Sequence, residues 1–408
     1  MLGITLEGGG AKGAYQIGAW RAFNELGIEF QGITGTSVGA LNGALMMQGD
    51  YDVAHEIWYN VTPTRVLDID DRVYKVLSDY QLNSDNLQLL FDEARRTIKG
   101  FGIDNKPLQD LITSTLQEDL IRSSSKDFGF VTVSLTEIKP LEIYKEQVPE
   151  GKMADYLMAS AYLPLFKSKK LDGKFFMDGG FYDNLPIEML YKKGYRKVVA
   201  IRLLSKGRIR KIKHNDLEVI YITPKKSLGN ILDFTTERAR RNLTLGYLDT
   251  LKAFKSLKGK EYYIEGDIEE EDALAFFMNL DIKAVTQLGQ LFKLHHSIPS
   301  NRLILEFIIP RLIKLMGLDN RATYSDVYVG LVEAMASYKK IDDLKIYSLE
   351  EIISEINRAP KQQSKMKRDS LIVSDILDDI LFKIDRQKLL AEVIDVILEN
   401  DNCALTQL

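Results

Sequence analysis

The stretch GITLEGGGAKGAYQIGAWRAFNELGIEFQGITGTSVGALNGALMM, residues 3–47, determines the fold of this chain. It opens with a short apolar strand that runs into glycines, and residues 14–26 then carry apolar side chains at helical spacing. Residues 32–35 predict a second strand, and residues 38–47 predict a second helix rich in Ala, Leu and Met. A strand, a turn and a helix, twice in succession, indicate a parallel sheet covered by helices, so we predict an α/β fold.

Downstream of this stretch, apolar runs predict five further strands, and the helix period dominates from residue 236 onward. The predicted strands are residues 128–136, 141–145, 175–178, 197–203 and 217–222. The predicted later helices are residues 236–255, 272–277, 303–316, 325–338, 349–357 and 372–398. A length of 408 residues allows two or three domains. We therefore expect an α/β domain over residues 1–258, with its motifs in residues 3–192, and a mainly helical C-terminal domain over residues 259–408 whose role stays open.

The composition excludes several classes of protein. Hydrophobic residues make up 45% and charged residues 27% of the chain, which is ordinary for a globular protein. The net charge of −4 gives no field that would attract nucleic acid. A single cysteine, Cys403, excludes an internal disulfide and a Cys-ligated metal site, and no other metal cluster or cofactor is expected. Because no export signal or spanning segment is visible, we expect a cytoplasmic protein with at most peripheral membrane contact.

The first motif that carries chemistry is Gly35-Thr36-Ser37-Val38-Gly39, a G-x-S-x-G pattern between a strand and a helix. A serine hydroxyl is a weak nucleophile, so it needs an exposed turn, a nearby base and donors for the oxyanion. A sharp turn flanked by glycines supplies the exposure. On local grounds alone, a glycine-rich turn with an N-capping serine explains the pattern equally well.

The second motif is Gly8-Gly9-Gly10-Ala11-Lys12-Gly13, which follows the first strand. It formally matches the dinucleotide pattern G-x-G-x-x-G, but the second strand ends in Gly35-Thr36-Ser37 where that pattern requires an acid. It is not a phosphate-binding P-loop, because Ala14 follows Gly13 in place of Lys. What remains is a set of backbone N–H groups and a lysine suited to an anion or to an oxyanion.

The third motif is Asp178-Gly179-Gly180, which follows an apolar strand. An aspartate at the carboxyl end of such a strand can point into the same crevice as Ser37. Asp-Gly is also a strong turn dipeptide, so this motif alone indicates only a turn.

In this order and spacing, the three motifs resemble those of the patatin-like phospholipases. Residues 159–166, ASAYLPLF, look like the small-residue and proline block of that family, and Asp183-Asn184-Leu185-Pro186 resembles the segment that follows its aspartate. The resemblance covers residues 3–192 and extends less specifically to about residue 258. The last 150 residues carry no motif of this family.

The resemblance implies a Ser–Asp dyad that hydrolyses lipid esters through an acyl-serine, as in phospholipases A and lysophospholipases. Ser37 is the implied nucleophile and Asp178 the proton acceptor, and burial would raise the pKa of this carboxyl and make it a better base. The remaining residues that the resemblance implicates are the oxyanion loop (Gly8, Gly9, Gly10, Lys12, Gly13), the nucleophile elbow (Gly35, Gly39) and the Asp-Gly-Gly turn (Gly179, Gly180). It implies no metal and no cofactor.

Alternatives to this mechanism and function remain open. Ser37, Asp178 and His214 follow the chain order of an α/β-hydrolase triad, but His214 lies in a charged segment and only one strand precedes the strand that leads to Ser37, whereas that family has several. A non-catalytic protein that binds a lipid or nucleotide anion through the glycine loop is the main alternative. A general esterase and an acyltransferase are the others.

Two segments bear on the substrate, which we expect to be a lipid ester. Residues 192–213 contain ten Lys or Arg and no acid, which suits contact with an anionic membrane surface, although a solvated edge explains them equally well. Residues 68–101 mix apolar and charged side chains and could form a cap over an acyl pocket or an ordinary packed helix. The lipid head group, the acyl length, any activating ligand and the oligomeric state cannot be read from the sequence.

Overall fold

The computed structural model describes residues 1–68, 74, 103–163, 166, 170–360 and 379–400. Within these residues the chain forms two compact units, Met1–Phe254 and Lys255–Leu408. None of the described helices combines the length and the hydropathy needed to cross a membrane.

The first unit is built on an eight-stranded sheet with the order β5-β6-β3-β2-β1-β7-β8, and β4 pairs with β3. The strands are β1 (Leu2–Leu6), β2 (Gly32–Thr36), β3 (Asp127–Ser134), β4 (Lys139–Tyr144), β5 (Lys170–Leu171), β6 (Lys174–Asp178), β7 (Lys197–Ile201) and β8 (Glu218–Ile222). The pairs β1–β2, β2–β3, β1–β7 and β7–β8 are parallel, whereas β4 and β6 run antiparallel to β3. The predicted α/β class with a parallel-type central sheet is confirmed, and the antiparallel strands at one side extend it.

Helices cover both faces of this sheet. The described helices of the unit are α1 (Ala14–Glu25), α2 (Val38–Gln48), α3 (Tyr51–Tyr59), α4 (Pro63–Val66), α5 (Lys106–Thr115), α6 (Glu118–Ser123), α7 (Met153–Ser160), α8 (Ile187–Lys192) and α9 (Thr236–Lys255). Because side chains alternate along a strand, Leu6 and Ile33 face α2 near Gly43, whereas Gly3 and Gly32 face Leu190 of α8. Their burial on two faces explains why these strands read as continuous apolar runs.

The second unit is mainly helical, as the sequence predicts. Its described helices are α10 (Glu270–Met278), α11 (Ile282–Leu291), α12 (Ser300–Leu303), α13 (Ile309–Met316), α14 (Tyr324–Tyr338), α15 (Leu349–Arg358) and α16 (Asp379–Asn400). Phe277, Leu288, Tyr328 and Met335 are among the side chains of its apolar core. Two short parallel strands, β9 (Tyr263–Glu265) and β10 (Ile346–Ser348), were not predicted.

The helix predicted over residues 303–316 is interrupted. A π-helical turn, Ile304–Ile308, separates α12 from α13. Pro310 lies at the start of α13 and has no N–H to donate to the preceding turn, so the regular hydrogen-bond ladder cannot continue through it.

Candidate active site

The register of β3 brings the ends of β2 and β6 together. β4 pairs with residues 129–134 of β3, a range that overlaps the residues paired with β2 and those paired with β6, so β2 and β6 share the other edge. There, β2 ends with Thr36 beside Val131, and β6 ends with Asp178 beside Thr132. Ser37 follows Thr36 directly, so its side chain and that of Asp178 meet at the carboxyl edge of the parallel strands.

Ser37 occupies a strained turn between β2 and α2. Its backbone has φ 56° and ψ −126°, a region that residues with a Cβ rarely adopt. Its N–H donates to Ser160 Oγ at 3.0 Å, and Ser160 Oγ donates to the Val131 carbonyl at 2.6 Å. The hydroxyl of Ser37 forms no capping hydrogen bond with α2, although this residue precedes the helix. The turn is therefore held by its neighbours, and the hydroxyl is left for another role.

The two glycines of the elbow are required by close backbone approach. A Cβ at Gly35 would lie 2.3 Å from the Gly39 carbonyl oxygen, and a Cβ at Gly39 would lie 2.3 Å from the Leu6 carbonyl oxygen. The start of α2 therefore lies directly on β2 and β1, which presents its N-terminus at the sheet edge.

Asp178 is a buried carboxyl that uses only one of its two oxygens in a backbone hydrogen bond. Its side chain is 4% exposed, and Oδ1 accepts the Gly180 N–H at 2.8 Å. Oδ2 is buried and forms no hydrogen bond of good geometry within the described residues. Burial raises the pKa of Asp178 to about 6, and hydrogen bonding from the Ser37 hydroxyl and the Gly180 N–H opposes that rise. Gly179 packs so tightly that a Cβ there would lie 2.2 Å from the Val131 carbonyl oxygen.

The glycine loop lies beside Ser37. A Cβ at Gly8 would be 3.2 Å from Ser37 Cβ, and the Gly8 N–H donates to the Asn184 carbonyl at 3.0 Å. The N–H groups of Gly9 and Gly10 have no acceptor among the described residues. Gly10 has φ +54°, which suits glycine. An oxyanion hole needs backbone N–H donors without other acceptors, and the N–H groups of Gly9 and Gly10 beside Ser37 meet this requirement.

Lys12 and Gly13 hold this loop in place. Lys12 Nζ donates to the carbonyls of Leu203 and Leu204, both at 3.2 Å. Burial lowers the pKa of the Lys12 ammonium, and the charge of Glu7 opposes that shift. The Gly13 carbonyl accepts from the amide of Asn42 at 2.9 Å. Lys12 therefore fastens the loop to the segment after β7, and its ammonium is already occupied by carbonyls.

Glu7 is a central residue of the site that sequence reasoning missed. It is fully buried between β1 and the glycine loop. Its Oε2 accepts from Arg202 Nε at 2.8 Å and from the Leu203 N–H at 2.7 Å, and Oε1 accepts from the Ser205 N–H at 3.2 Å. The only local signal was an acid at the end of an apolar strand, because its partners lie almost 200 residues away.

Asn184 links the glycine loop to the Asp178 turn. Its Nδ2 donates to the Gly8 carbonyl at 3.1 Å, while its own backbone carbonyl accepts the Gly8 N–H. The segment around it contributes to the family resemblance, but its role in positioning Gly8 depends on the fold and carries no local sequence signal.

The histidines of the first unit are occupied elsewhere. His214 Nε2 is 2.9 Å from Glu188 Oε2, and its ring stacks on Tyr191 with the centroids 3.6 Å apart. His55 stacks on Tyr59 on α3. Among the described contacts, neither ring touches Ser37 or Asp178, so the geometry gives no support to a histidine-dependent triad.

An apolar groove opens beside Ser37. It contains about 890 Å³ of empty space, including the part open to solvent. Ser37 and Gly10 contribute to its wall, together with apolar side chains of α2, α3 and α5 such as Leu45, Trp58 and Leu111. A wall of this kind suits a hydrocarbon chain. Apart from residues 68 and 74, the predicted cap over residues 68–101 lies outside the described residues.

Comparison with known proteins identifies relatives of this unit. A sequence profile described as patatin-like phospholipase matches residues 4–191, a range that contains Ser37 and Asp178. The neuropathy target esterase sws of Drosophila melanogaster is 25% identical over 288 residues, which cover 67% of this chain and 18% of that protein. The lysophospholipase NTE1 of Saccharomyces cerevisiae is 25% identical over 296 residues, which cover 67% of this chain and 15% of that protein. The chain thus matches less than a fifth of the length of these relatives.

Among solved structures, the crystal structure of VipD from Legionella pneumophila aligns with 99% of this chain and 89% of its own, at 16% identity and a TM-score of 0.40.

Proposed function

Because residues 4–191 are a patatin-like phospholipase domain, as their motifs predicted, we propose that this protein is a serine-dependent lipid acyl hydrolase. The observation that carries the proposal is the meeting of a strained Ser37 with a buried Asp178, whose Oδ2 has no well-formed hydrogen bond among the described residues, beside an apolar groove. Strained backbone and unpaired buried oxygens are costly to a fold, and they concentrate at functional sites.

In the proposed acylation step, Asp178 Oδ2 accepts the proton of the Ser37 hydroxyl while Oγ attacks the ester carbonyl. The carbonyl oxygen becomes an oxyanion, which the N–H groups of Gly9 and Gly10 stabilise. Collapse of the tetrahedral intermediate breaks the ester bond, and the leaving alcohol takes the proton from Asp178. A carboxyl whose pKa is about 6 is a better match to this task than an exposed aspartate.

In the proposed deacylation step, water takes the place of the alcohol. Asp178 accepts a proton from the water as its oxygen attacks the acyl-Ser37 carbonyl, and the same two N–H groups hold the second oxyanion. The proton then returns to Ser37 Oγ as the fatty acid leaves, which restores the free enzyme.

The groove beside Ser37 supports a substrate with a hydrocarbon chain. Most of its lining side chains are apolar, and the polar atoms of Asn42 in its wall are already bonded to Gly13, Gln16 and Trp58. The name of the yeast relative makes a lysophospholipid the first substrate to test, and the proposed activity is of the phospholipase A or lysophospholipase type.

The proposal extends to the organisation and location of the protein. We assign the catalytic domain to residues 1–258 and a separate helical domain to residues 259–408. We also propose that the protein is cytoplasmic and meets its lipid substrate at a membrane surface.

Covalent labelling of the serine tests the proposal directly. A fluorophosphonate probe is expected to label the wild-type protein and the Ser348→Ala variant, but not Ser37→Ala. Absence of labelling in folded wild-type protein would support the alternative of a non-catalytic lipid- or nucleotide-binding protein. Release of free fatty acid from a lysophospholipid, without transfer to an added alcohol, would separate hydrolysis from acyl transfer.

A further inference from the structure

Exposed apolar side chains are concentrated at one edge of the first unit. Twelve large hydrophobic side chains are exposed in the described chain, and six of them follow or flank strand ends at the edge where β1 and β2 lead into Gly8 and Ser37. We call these six the edge patch: Leu135, Ile138, Phe175, Phe181, Leu204 and Ile209.

The sheet topology places these side chains on the same edge as Ser37. Leu135 and Ile138 lie in the turn from β3 to β4, and the Leu135 N–H donates to the Phe175 carbonyl at 2.8 Å. Leu204 and Ile209 lie in the connection that follows the carboxyl end of β7. These connections leave the parallel strands at the end where Ser37 leaves β2.

Hydrogen bonds join the two halves of the edge patch. The Arg208 N–H donates to the Gly180 carbonyl at 2.9 Å, which fastens the connection after β7 to the turn that carries Phe181. Phe181 in turn lines a shallow depression with Leu135 and Ile138, whose empty space is about 600 Å³ including the part open to solvent. The connection after β7 and the turn that carries Phe181 therefore lie side by side at this edge.

Two residues of the edge patch, Ile138 and Leu204, destabilise the fold both by exposing an apolar side chain and by a left-handed backbone conformation. Ile138 is 89% exposed with φ +52°, and Leu204 is 51% exposed with φ +48°. The left-handed conformation disfavours residues with a Cβ by about 1–2 kcal/mol relative to glycine, and most of all a β-branched residue. No other large hydrophobic residue in the described chain has a positive φ. Asparagine or glycine would serve the fold better at both positions, so their apolar side chains point to a contact outside the chain.

Four exposed cations near the edge patch have no ionic partner in the described chain, whereas Arg202 and Arg210 of the same connection pair with Glu7 and Glu142. Lys206, Arg208, Lys211 and Lys213 are exposed in the connection after β7, and none of them has an ionic partner in the described chain. In the same basic stretch, four cations at the amino end of β7 are paired. These pairs are Lys192–Glu142, Lys193–Asp127, Arg196–Asp216 and Lys197–Glu218. The acid nearest the turn from β3 to β4, Glu137, is neutralised by Lys139 and Lys174.

We propose that the edge patch docks on an anionic phospholipid bilayer, with its apolar side chains among the upper acyl segments and its four unpaired cations at the head groups. Single protruding apolar side chains surrounded by cations fit such an interface, which is apolar inside and negative at its surface. This surface would present Ser37 and the groove to the bilayer. It deepens the proposed function, but docking itself requires no turnover.

Vesicle binding by full-length protein tests the role of the cations. Binding is measured on a Ser37→Ala background, with phosphatidylcholine vesicles that contain or lack phosphatidylserine, so lipid hydrolysis does not interfere. Replacing Lys206, Arg208, Lys211 and Lys213 by Gln is expected to weaken binding to the anionic vesicles by roughly 600-fold, since each of the four cations near such a surface contributes about fivefold. The matched control replaces Lys192, Lys193, Arg196 and Lys197 by Gln, which removes the same charge at the opposite edge of the sheet and is expected to leave binding nearly unchanged. Equal loss in both variants, or no loss in the first, overturns the proposal.

A second pair of variants tests the apolar members. Ile138→Asn and Leu204→Asn are expected to raise the melting temperature, because asparagine tolerates a positive φ, and yet to weaken vesicle binding about tenfold or more when combined. Unchanged vesicle binding in the stabilised double variant overturns the proposal and points to a protein partner for this edge. Fluorophosphonate labelling of the Ile138→Asn single variant with Ser37 intact is expected to match the wild type, so a failure of the docking proposal is distinguishable from a failure of the proposed catalysis.

Discussion

In the part of the chain that the structure describes, two serines directly precede helices, one in each unit, and their hydroxyls have different roles. Ser348 has φ −70° and ψ 161°, accepts the Glu351 N–H at 3.1 Å and donates its own N–H to Glu351 Oε2 at 3.1 Å, which is a complete capping box before α15. Ser37 has φ 56° and ψ −126°, and its hydroxyl caps nothing in α2. The Ser348 hydroxyl stabilises the start of α15, whereas the Ser37 hydroxyl forms no capping hydrogen bond with α2.

Two buried carboxylates show the same difference. Glu333 in α14 accepts the N–H groups of Lys260, Glu261 and Tyr262 at 2.7 to 2.8 Å, so both of its oxygens are satisfied. Asp178 accepts one N–H, and its other oxygen has no well-formed hydrogen bond among the described residues.

The difference extends to the whole of each unit. In the described chain, all the buried polar side chains except Ser325 and Glu333 belong to the first unit. A buried polar group destabilises a fold unless it is hydrogen-bonded. The first unit buries many such groups and leaves Asp178 Oδ2 and the N–H groups of Gly9 and Gly10 without well-formed partners among the described residues. It is therefore less stable than it could be, at the positions where chemistry is proposed. The second unit is stabilised by an apolar core and regular caps.

The largest expected effect is the loss of activity in Ser37→Ala. Removing the nucleophile is expected to lower kcat/KM for lysophospholipid hydrolysis by about 10⁴-fold or more. The free energy of unfolding should change by no more than about 0.5 kcal/mol, because the hydroxyl stabilises no helix. Trp20 and Trp58, the only tryptophans in the chain, both lie in the first unit, so their fluorescence in urea reports its stability. Activity above a tenth of wild type would show that Ser37 is not the nucleophile.

The next effect is on the proton acceptor. Asp178→Asn is expected to lower kcat/KM by about 10² to 10⁴-fold. In the wild type, kcat/KM should rise with pH and level off above an apparent pKa of about 6, because only the ionised Asp178 accepts the serine proton. A pH profile measured with an uncharged ester checks this. A flat profile between pH 5 and 8 would contradict the assignment of Asp178 as the base.

The same variant should be more stable than the wild type at neutral pH. The pKa of Asp178 is raised from 3.8 to about 6 in the folded protein, so its contribution to stability is fully present below pH 3.8 and is lost as the pH rises through 6. About two pKa units correspond to about 3 kcal/mol at most. Tryptophan fluorescence in urea should therefore show that the stability of Asp178→Asn relative to wild type increases between pH 4 and pH 6 and is constant above pH 7. A difference independent of pH would show that Asp178 has an ordinary pKa.

The sequence predicted what depends on local pattern. The helix predicted over residues 236–255 is α9, Thr236–Lys255, and the helix predicted over residues 38–47 is α2 with one more residue, because apolar periodicity and glycine placement act over a few turns. Pro310 was visible in the sequence as a reason to interrupt the helix over residues 303–316, and the prediction did not use it.

The sequence did not predict what depends on distant pairing. β9 and β10 are three residues each and pair across about eighty residues, so neither carries a periodic signal of its own. Ser37 and Asp178 were matched through the resemblance, but the reason they meet is the register of β3, which no local pattern contains. Glu7 was missed for the same reason, since its partners include three backbone N–H groups far along the chain.

Glu333→Gln should reduce the stability of the second unit without changing lysophospholipid hydrolysis. A glutamine side chain has only one acceptor oxygen, so its NH₂ group would face at least one of the three N–H donors. We expect a loss of about 2 kcal/mol, since a buried donor left without a partner costs about 1–3 kcal/mol. Hydrogen–deuterium exchange of peptides from the second unit measures it. Unchanged protection there, or a loss of lysophospholipid hydrolysis, would contradict a purely structural role for this carboxylate.

The smallest expected effect is that of Ser348→Ala, the counterpart of Ser37→Ala. Loss of the cap leaves the Glu351 N–H without its acceptor and should cost about 1 kcal/mol, seen as faster exchange in α15. Ser348→Asp restores an acceptor and a negative charge at the helix N-terminus, and it should recover the protection. Both variants should keep full fluorophosphonate labelling. The two variants are thus expected to have opposite effects. Ser37→Ala abolishes activity and leaves stability unchanged, whereas Ser348→Ala weakens α15 and leaves activity unchanged. If Ser37→Ala also destabilised the first unit by about 1 kcal/mol, its hydroxyl would be a cap after all, and the contrast between the two units would fail at the residue on which it rests.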